Sequence, residues 1–209
     1  MIARRLPLLV LAVTVCSAVL SAGDSKTGKD LPPGALQLRG GGSTFAAPLQ
    51  KKWLEAYRKR HPEVAISYEA IGSGEGTKQF LAGTLDFGAS DAALSDAQMA
   101  AVPSGAQLVP ILAGSIVLAY NLDGLGGPLK LSRAVYTDIF LGTITSWDDP
   151  RLQQLNPGLK LPRQDIALVV RQDGSGTTYA FTNHLSAIST AWRDAVPVSA
   201  RSSRGPATP

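Results

Sequence analysis

The stretch DIALVVRQDGSGTTYAF, residues 165–181, passes from an apolar run through a polar glycine turn into an aromatic and apolar segment. DIALVVR has the apolar, β-branched content of a strand. The turn that follows packs Gly174, Gly176, Ser175, Thr177 and Thr178 together, and Phe181, Leu185, Ile188 and Trp192 then recur at helical spacing. A strand delivering the chain directly into a helix is the repeating unit of α/β proteins, so this stretch sets the expected fold class.

The same grammar recurs upstream. Ser43 or Thr44 can cap a helix whose apolar positions are Phe45, Leu49, Trp53 and Tyr57, with Lys51, Lys52, Arg58, Lys59 and Arg60 on solvated faces. Val64, Ile66, Tyr68 and Ala70 alternate as a strand, and IGSGEGTKQFLAG (71–83) is a glycine turn followed by a helix. LDFGASDA (85–92) reads as a short buried strand ending at Asp91. QLVPILAGSIVLAYNL (107–122) reads as long extended runs broken by Gly114, a chain crossing between lobes. Ser132 starts a helix that Gly142 stops. The whole predicts sheets covered by helices.

With 209 residues, 44% of them hydrophobic, the chain can bury one sizeable core or two small lobes. Residues 1–22, MIARRLPLLVLAVTVCSAVLSA, have the basic start, uncharged apolar run and small-residue end of a secretory signal, which predicts export to the periplasm. Cys16, the single cysteine, lies inside it, and Val15 stands where a lipid-anchored protein needs a small residue. Residues 23–37 form a polar lead-in with a Pro-Pro-Gly break. The net charge of +4 is accounted for by Arg4 and Arg5 in the signal and Arg201 and Arg204 in an acid-free tail. A neutral body leaves no basic footprint for nucleic acid.

Three turns share one chemistry: GGGSTF (40–45), GSGEGT (72–77) and DGSGTT (173–178). Each sets glycines, whose backbone can be approached closely, beside Ser or Thr at a helix start. The first amides of a helix lack intrahelical partners and the peptide dipoles make that end positive, so each turn can receive an oxyanion. Arg171 adds a guanidinium that can fork onto two oxygens, held in place if Asp173 pairs with it. Tight turns with capped helices are the plain alternative.

Other chemistries are poorly supplied. The glycines of GSGEGT miss the dinucleotide spacing, no Gly-Lys-Ser/Thr ending makes a nucleotide loop, and Asp173 replaces the first glycine of a nucleophile elbow. His61 and His184, with no usable cysteine, do not make a zinc site, and Asp148-Asp149-Pro150 reads as a turn. No catalytic constellation and no cofactor are expected.

The segments GGGSTFAAPLQKKW, AIGSGEGTKQF, DFGASDAALS, LGTITSWDDPRLQQLNPGLKLP and VVRQDGSGTTYAFT together resemble the periplasmic phosphate-binding proteins that feed phosphate-specific ABC transporters. The resemblance spans about residues 38–194 and implies the α/β fold of a type II periplasmic binding protein, two lobes around a cleft. Lobe 1 would begin at 38–112 and lobe 2 at 113–194. It implies phosphate contacts from Thr44, the Phe45 backbone, Ser73, Asp91, Arg171, Ser175, Gly176 and Thr177, with Asp173 behind Arg171. It further implies delivery to an inner-membrane ABC permease, hinge closure, no cofactor and no stable oligomer. Asp91, an acceptor only, would select an anion that still carries a proton. Its alternative role is capping SDAQMAAV (95–102).

Two departures stand out. Glu75 occupies a position where the family usually has a small residue, and is expected to point away from the cleft. After Asp194 the resemblance gives way to AVPVSARSSRGPATP (195–209), a tail without apolar periodicity, so the second half of the fold is expected to be incomplete. The rival readings are a nonfunctional truncated remnant, an exported phosphatase or a binder of another oxyanion.

Overall fold

Alternating apolar and small residues bring three strands together in parallel: β1 (Leu36–Gly42), β2 (Val64–Glu69) and β3 (Phe87–Ala89), in the order β2-β1-β3. The computed structural model describes residues 34–196, so the expected signal, most of the lead-in and nearly all of the tail lie outside it. β1 already begins at Leu36, two residues inside the expected lead-in, because Leu36 pairs in register with Val64 and Gly41 with Glu69. On the other edge Gly40 pairs with Phe87 and Gly42 with Ala89.

The glycines of the first turn therefore serve the sheet. Gly40–Gly42 are strand residues, and a Cβ on Gly41 would meet Leu85 Cδ1 at 3.2 Å and the Glu69 carbonyl at 3.3 Å. Helix α1 (Ala47–Arg60) starts later than Ser43 or Thr44 would set it; its first turn contains Pro48, where a missing N–H costs nothing. None of its residues is buried, and Trp53 and Tyr57 stay nearly half exposed. Its expected apolar stripe is thus uncovered.

Helix α2 (Ser73–Leu81) joins β2 to β3 and packs on β1 and β3. The short α3 (Asp96–Ala100) follows. Residues 107–122, expected as extended runs, and 166–171, expected as part of a strand, belong to no sheet, apart from an isolated bridge from neighbouring Asp165 to Ser146. Val117 is 77% and Val169 92% exposed. An apolar pattern specifies extended backbone, but a strand is completed by partners elsewhere in the chain, and the described residues offer none.

The cores lie in the C-terminal helices. Ser132 accepts from the Val135 N–H at 3.2 Å and caps α4 (Arg133–Phe140), which Gly142, with φ of 73°, terminates as expected. Asp149 caps α5 (Pro150–Leu155), confirming the Asp-Asp-Pro turn. Val135, Ile139, Ile144 and Leu152 form one cluster. α6 (Gly176–Ile188), α7 (Thr190–Ala195) and the residue after α7 supply another from Leu185, Trp192 and Val196. The expected single helix is two, because Ser189 leaves helical geometry and accepts from the Trp192 N–H at 3.1 Å as a new cap. Val196 is buried in this cluster, two residues past the expected boundary at 194.

Candidate functional site

The three turns converge, and they do so through residues that have almost no side chain. The Gly74 N–H donates to the Gly174 carbonyl at 2.9 Å, and the Gly72 N–H to the Gly42 carbonyl at 2.9 Å. A Cβ on Gly74 would stand 2.9 Å from Gly174 Cα, and one on Gly72 2.7 Å from Asp173 Oδ2. Gly72 also holds φ at 86°, a conformation open to glycine. Gly176 closes the junction: its Cβ would lie 2.6 Å from Asp91 Cβ and 2.7 Å from Ser73 Oγ.

Asp91 sits where the turns meet. Its Oδ1 accepts from Ser43 Oγ, its Oδ2 accepts from Thr177 Oγ1 at 3.2 Å, and its N–H donates to Ser73 Oγ at 3.3 Å. The helix-cap alternative for Asp91 is overturned, since Ser95 caps α3 and forms a reciprocal capping box with Gln98. The Asp91 carboxylate instead meets hydroxyls of the first and third turns.

Arg171 and Asp173 form the predicted pair. Arg171 Nε donates to Asp173 Oδ1 at 2.5 Å and Nη2 donates to Oδ2, while Nη1 reaches Thr44 Oγ1 at 3.5 Å. Hydrogen bonding from Arg171 holds the Asp173 carboxyl below the usual carboxylate range, and the same bond, with the charges of Asp173 and Asp91, raises Arg171. Both side chains remain nearly half exposed, so the guanidinium is fixed in direction while accessible to an anion.

Ser73 and Ser175 are buried, Ser175 capping α6 by accepting from the Thr178 N–H at 3.2 Å. Thr44, Phe45 and Thr177 are exposed. The Phe45 ring lies over Gly114, leaving the residue's backbone at the turn. Among the described residues, the N–H groups of Phe45, Ser73, Gly176 and Thr177 meet no protein acceptor. Those are first-turn and turn amides, which an oxyanion can satisfy. A groove of about 960 Å³ opens alongside, from Phe45, Asp91 and Thr177 along residues 104–116.

Glu75 lies outside this arrangement, as expected. It accepts from Gln79 Nε2 at 2.9 Å and pairs with Lys78 at 3.5 Å along α2. The histidines are engaged elsewhere: His61 stacks on Tyr57 with centroids 4.3 Å apart, and His184 Nε2 meets the Tyr136 hydroxyl at 2.6 Å. Two residues of the cradle escaped the sequence reading. The sequence marks Ser43 only as a helix cap, and Tyr68, whose hydroxyl donates to the Ser43 carbonyl at 2.8 Å, only as a strand residue. Burial and then the charge of Asp91 push the Tyr68 phenol up to about 12. A hydroxyl preceding a helix was a visible signal for Ser43; nothing local marks Tyr68.

The chain is similar to the phosphate-binding protein PstS of Methanocaldococcus jannaschii, 38% identical over 194 residues, covering 90% of this chain and 50% of that protein. It is 43% identical to the phosphate-binding protein PstS of Haemophilus influenzae over 165 residues, covering 78% of this chain and 48% of that one. The chain spans about half the length of the curated relatives it matches. A protein of Clostridium perfringens solved with bound phosphate superposes with a TM-score of 0.51 at 23% identity, over 78% of this chain and 59% of that one, a likeness of fold. The model of the PBP superfamily domain matches residues 27–204. A family model matching more than half of the chain, these relatives and a parallel sheet flanked by helices agree: the chain belongs to the PBP superfamily.

Proposed function

We propose that this chain binds inorganic phosphate in the cradle formed by Thr44, the Phe45 backbone, Ser73, Asp91, Arg171, Ser175, Gly176 and Thr177. In this reading it is the binding component of an ABC importer, exported to the periplasm, where it captures the ion and presents it to a membrane permease. The carrying observation is the convergence of three sequence-distant turns on one carboxylate beside a forked guanidinium. Helix-start amides and hydroxyls supply donors, and Arg171 supplies charge. Binding needs no bond to be made or broken, so the residues act by placement and by exclusion of water as the turns close on the anion.

Asp91 gives the reading its selectivity. A carboxylate can only accept, and it repels an anion unless that anion donates a proton. Hydrogen phosphate carries one near neutral pH; sulfate does not. Sulfate would face an unpaired, like-charged contact, the repulsive half of a specific site.

Calorimetric titration of the chain with phosphate and then sulfate tests this. Saturable heat with phosphate and none with sulfate is expected. A folded chain that gives no heat with phosphate refutes the reading, and equal heats would make the site a general oxyanion binder.

A further inference from the structure

Ser43 is 1% exposed, and each of its polar groups is engaged. Its N–H donates to the Ala89 carbonyl at 2.7 Å, its carbonyl accepts from the Tyr68 hydroxyl at 2.8 Å, and its Oγ accepts from the Ala46 N–H at 3.2 Å. A serine hydroxyl has one proton to give, and here it goes to Asp91 Oδ1. β2, β3 and the turn before α1 thus hold the donor that holds the carboxylate.

We propose that Ser43 is a positioning residue for anion specificity: it clamps Asp91 Oδ1 so that the remaining acceptor capacity of the carboxylate faces the cradle. The inference rests on the phosphate reading above. Discrimination by a carboxylate depends on its staying in place, because one free to swing aside relieves the repulsion that sulfate should meet. Thr177, on the far side, is exposed and belongs to a different turn, so it does not anchor Asp91 to the sheet. Were Ser43 only a support for the turn through the Ala46 N–H, its loss would weaken every anion equally.

The test compares Ser43→Ala and Ser43→Thr with the parent chain, titrating phosphate and then competing with sulfate. Removing a hydrogen bond to a charged group should lower the phosphate-over-sulfate ratio about tenfold in Ser43→Ala, with Ser43→Thr retaining it. A folded Ser43→Ala chain with the parental ratio overturns the proposal. If that chain does not fold, Tyr68→Phe, which releases the Ser43 carbonyl but keeps the hydroxyl, should shift the ratio the same way by less; no shift overturns it. A ligand-free readout separates this from the phosphate reading. The Asp91 carboxyl carbon resonance, assigned with Asp91→Asn, should move in Ser43→Ala and stay near its parental position in Ser43→Thr. If it does not move in Ser43→Ala, the clamp is refuted whether or not the chain binds anions. If it moves while the parent binds no phosphate, the phosphate reading alone fails.

Discussion

The cradle and the two apolar runs beside it use opposite materials. Gly72, Gly74, Ser73, Ser175 and Gly176 close the cradle with small groups, joined by backbone bonds such as Gly74 N–H to the Gly174 carbonyl and by short polar side chains that meet at Asp91. Residues 107–122 and 166–171 are rich in Val, Leu and Ile, yet Val109 is 64%, Val117 77% and Val169 92% exposed. Burial has gone to the residues with little to bury. A turn is completed by its own amides and hydroxyls, whereas an apolar strand gains from its side chains only when another surface meets them.

The sharpest break of this contrast is Gly176→Ala. Its methyl would fall 2.6 Å from Asp91 Cβ and 2.7 Å from Ser73 Oγ, so Asp91 or the α6 start must shift. Overpacking of this kind costs about 1–3 kcal/mol, and placed at the junction it should weaken phosphate binding roughly ten- to a hundredfold in a titration. Parental affinity would mean that the turns need not touch for the site to work.

What could be read beforehand divides along the same line. The caps at Ser132 and Ser175, the stop at Gly142 and the alternation of Val64, Ile66 and Tyr68 are local signals, and the structure follows them. The Arg171–Asp173 pair was legible because two residues separate its members. Ser43 bonding Asp91, and Tyr68 bonding Ser43, join three different strands' ends and leave no trace in spacing. The side chains of DIALVVR specify an extended backbone; whether an extended segment is paired is decided elsewhere in the chain. The period of Phe181, Leu185, Ile188 and Trp192 fits one helix and cannot reveal that Ser189 starts another.

The Arg171–Asp173 pair gives a smaller effect, with a defined direction in pH. Asp173 has its folded pKa depressed, chiefly by the Arg171 hydrogen bond, so what it contributes is present above the ordinary aspartate value of about 3.9 and is lost as pH falls through the lower folded value. Asp173→Asn should therefore lower thermal stability slightly at neutral pH and flatten the acid limb of the stability profile. Exposure of both groups keeps the change under about 1 kcal/mol. An acid limb identical to the parent's would mean that the fork adds direction to Arg171 and nothing to stability.

The smallest effect is expected at the other pole of the comparison. Val169, almost wholly exposed, should be replaceable by Ser with a change within about 0.5 kcal/mol in denaturant titration, as at an ordinary surface position. The result is informative because Val169 lies two residues before Arg171, on the segment that brings the guanidinium to Asp173 and Thr44. A near-zero change would show that the cradle is anchored from its helix side, by the Ser175 cap and the cluster of Leu185 and Trp192. A larger loss would show that another surface covers this run in solution. Repeating the titration over a range of protein concentrations would then distinguish self-association, which makes the midpoint concentration-dependent, from cover supplied within one chain.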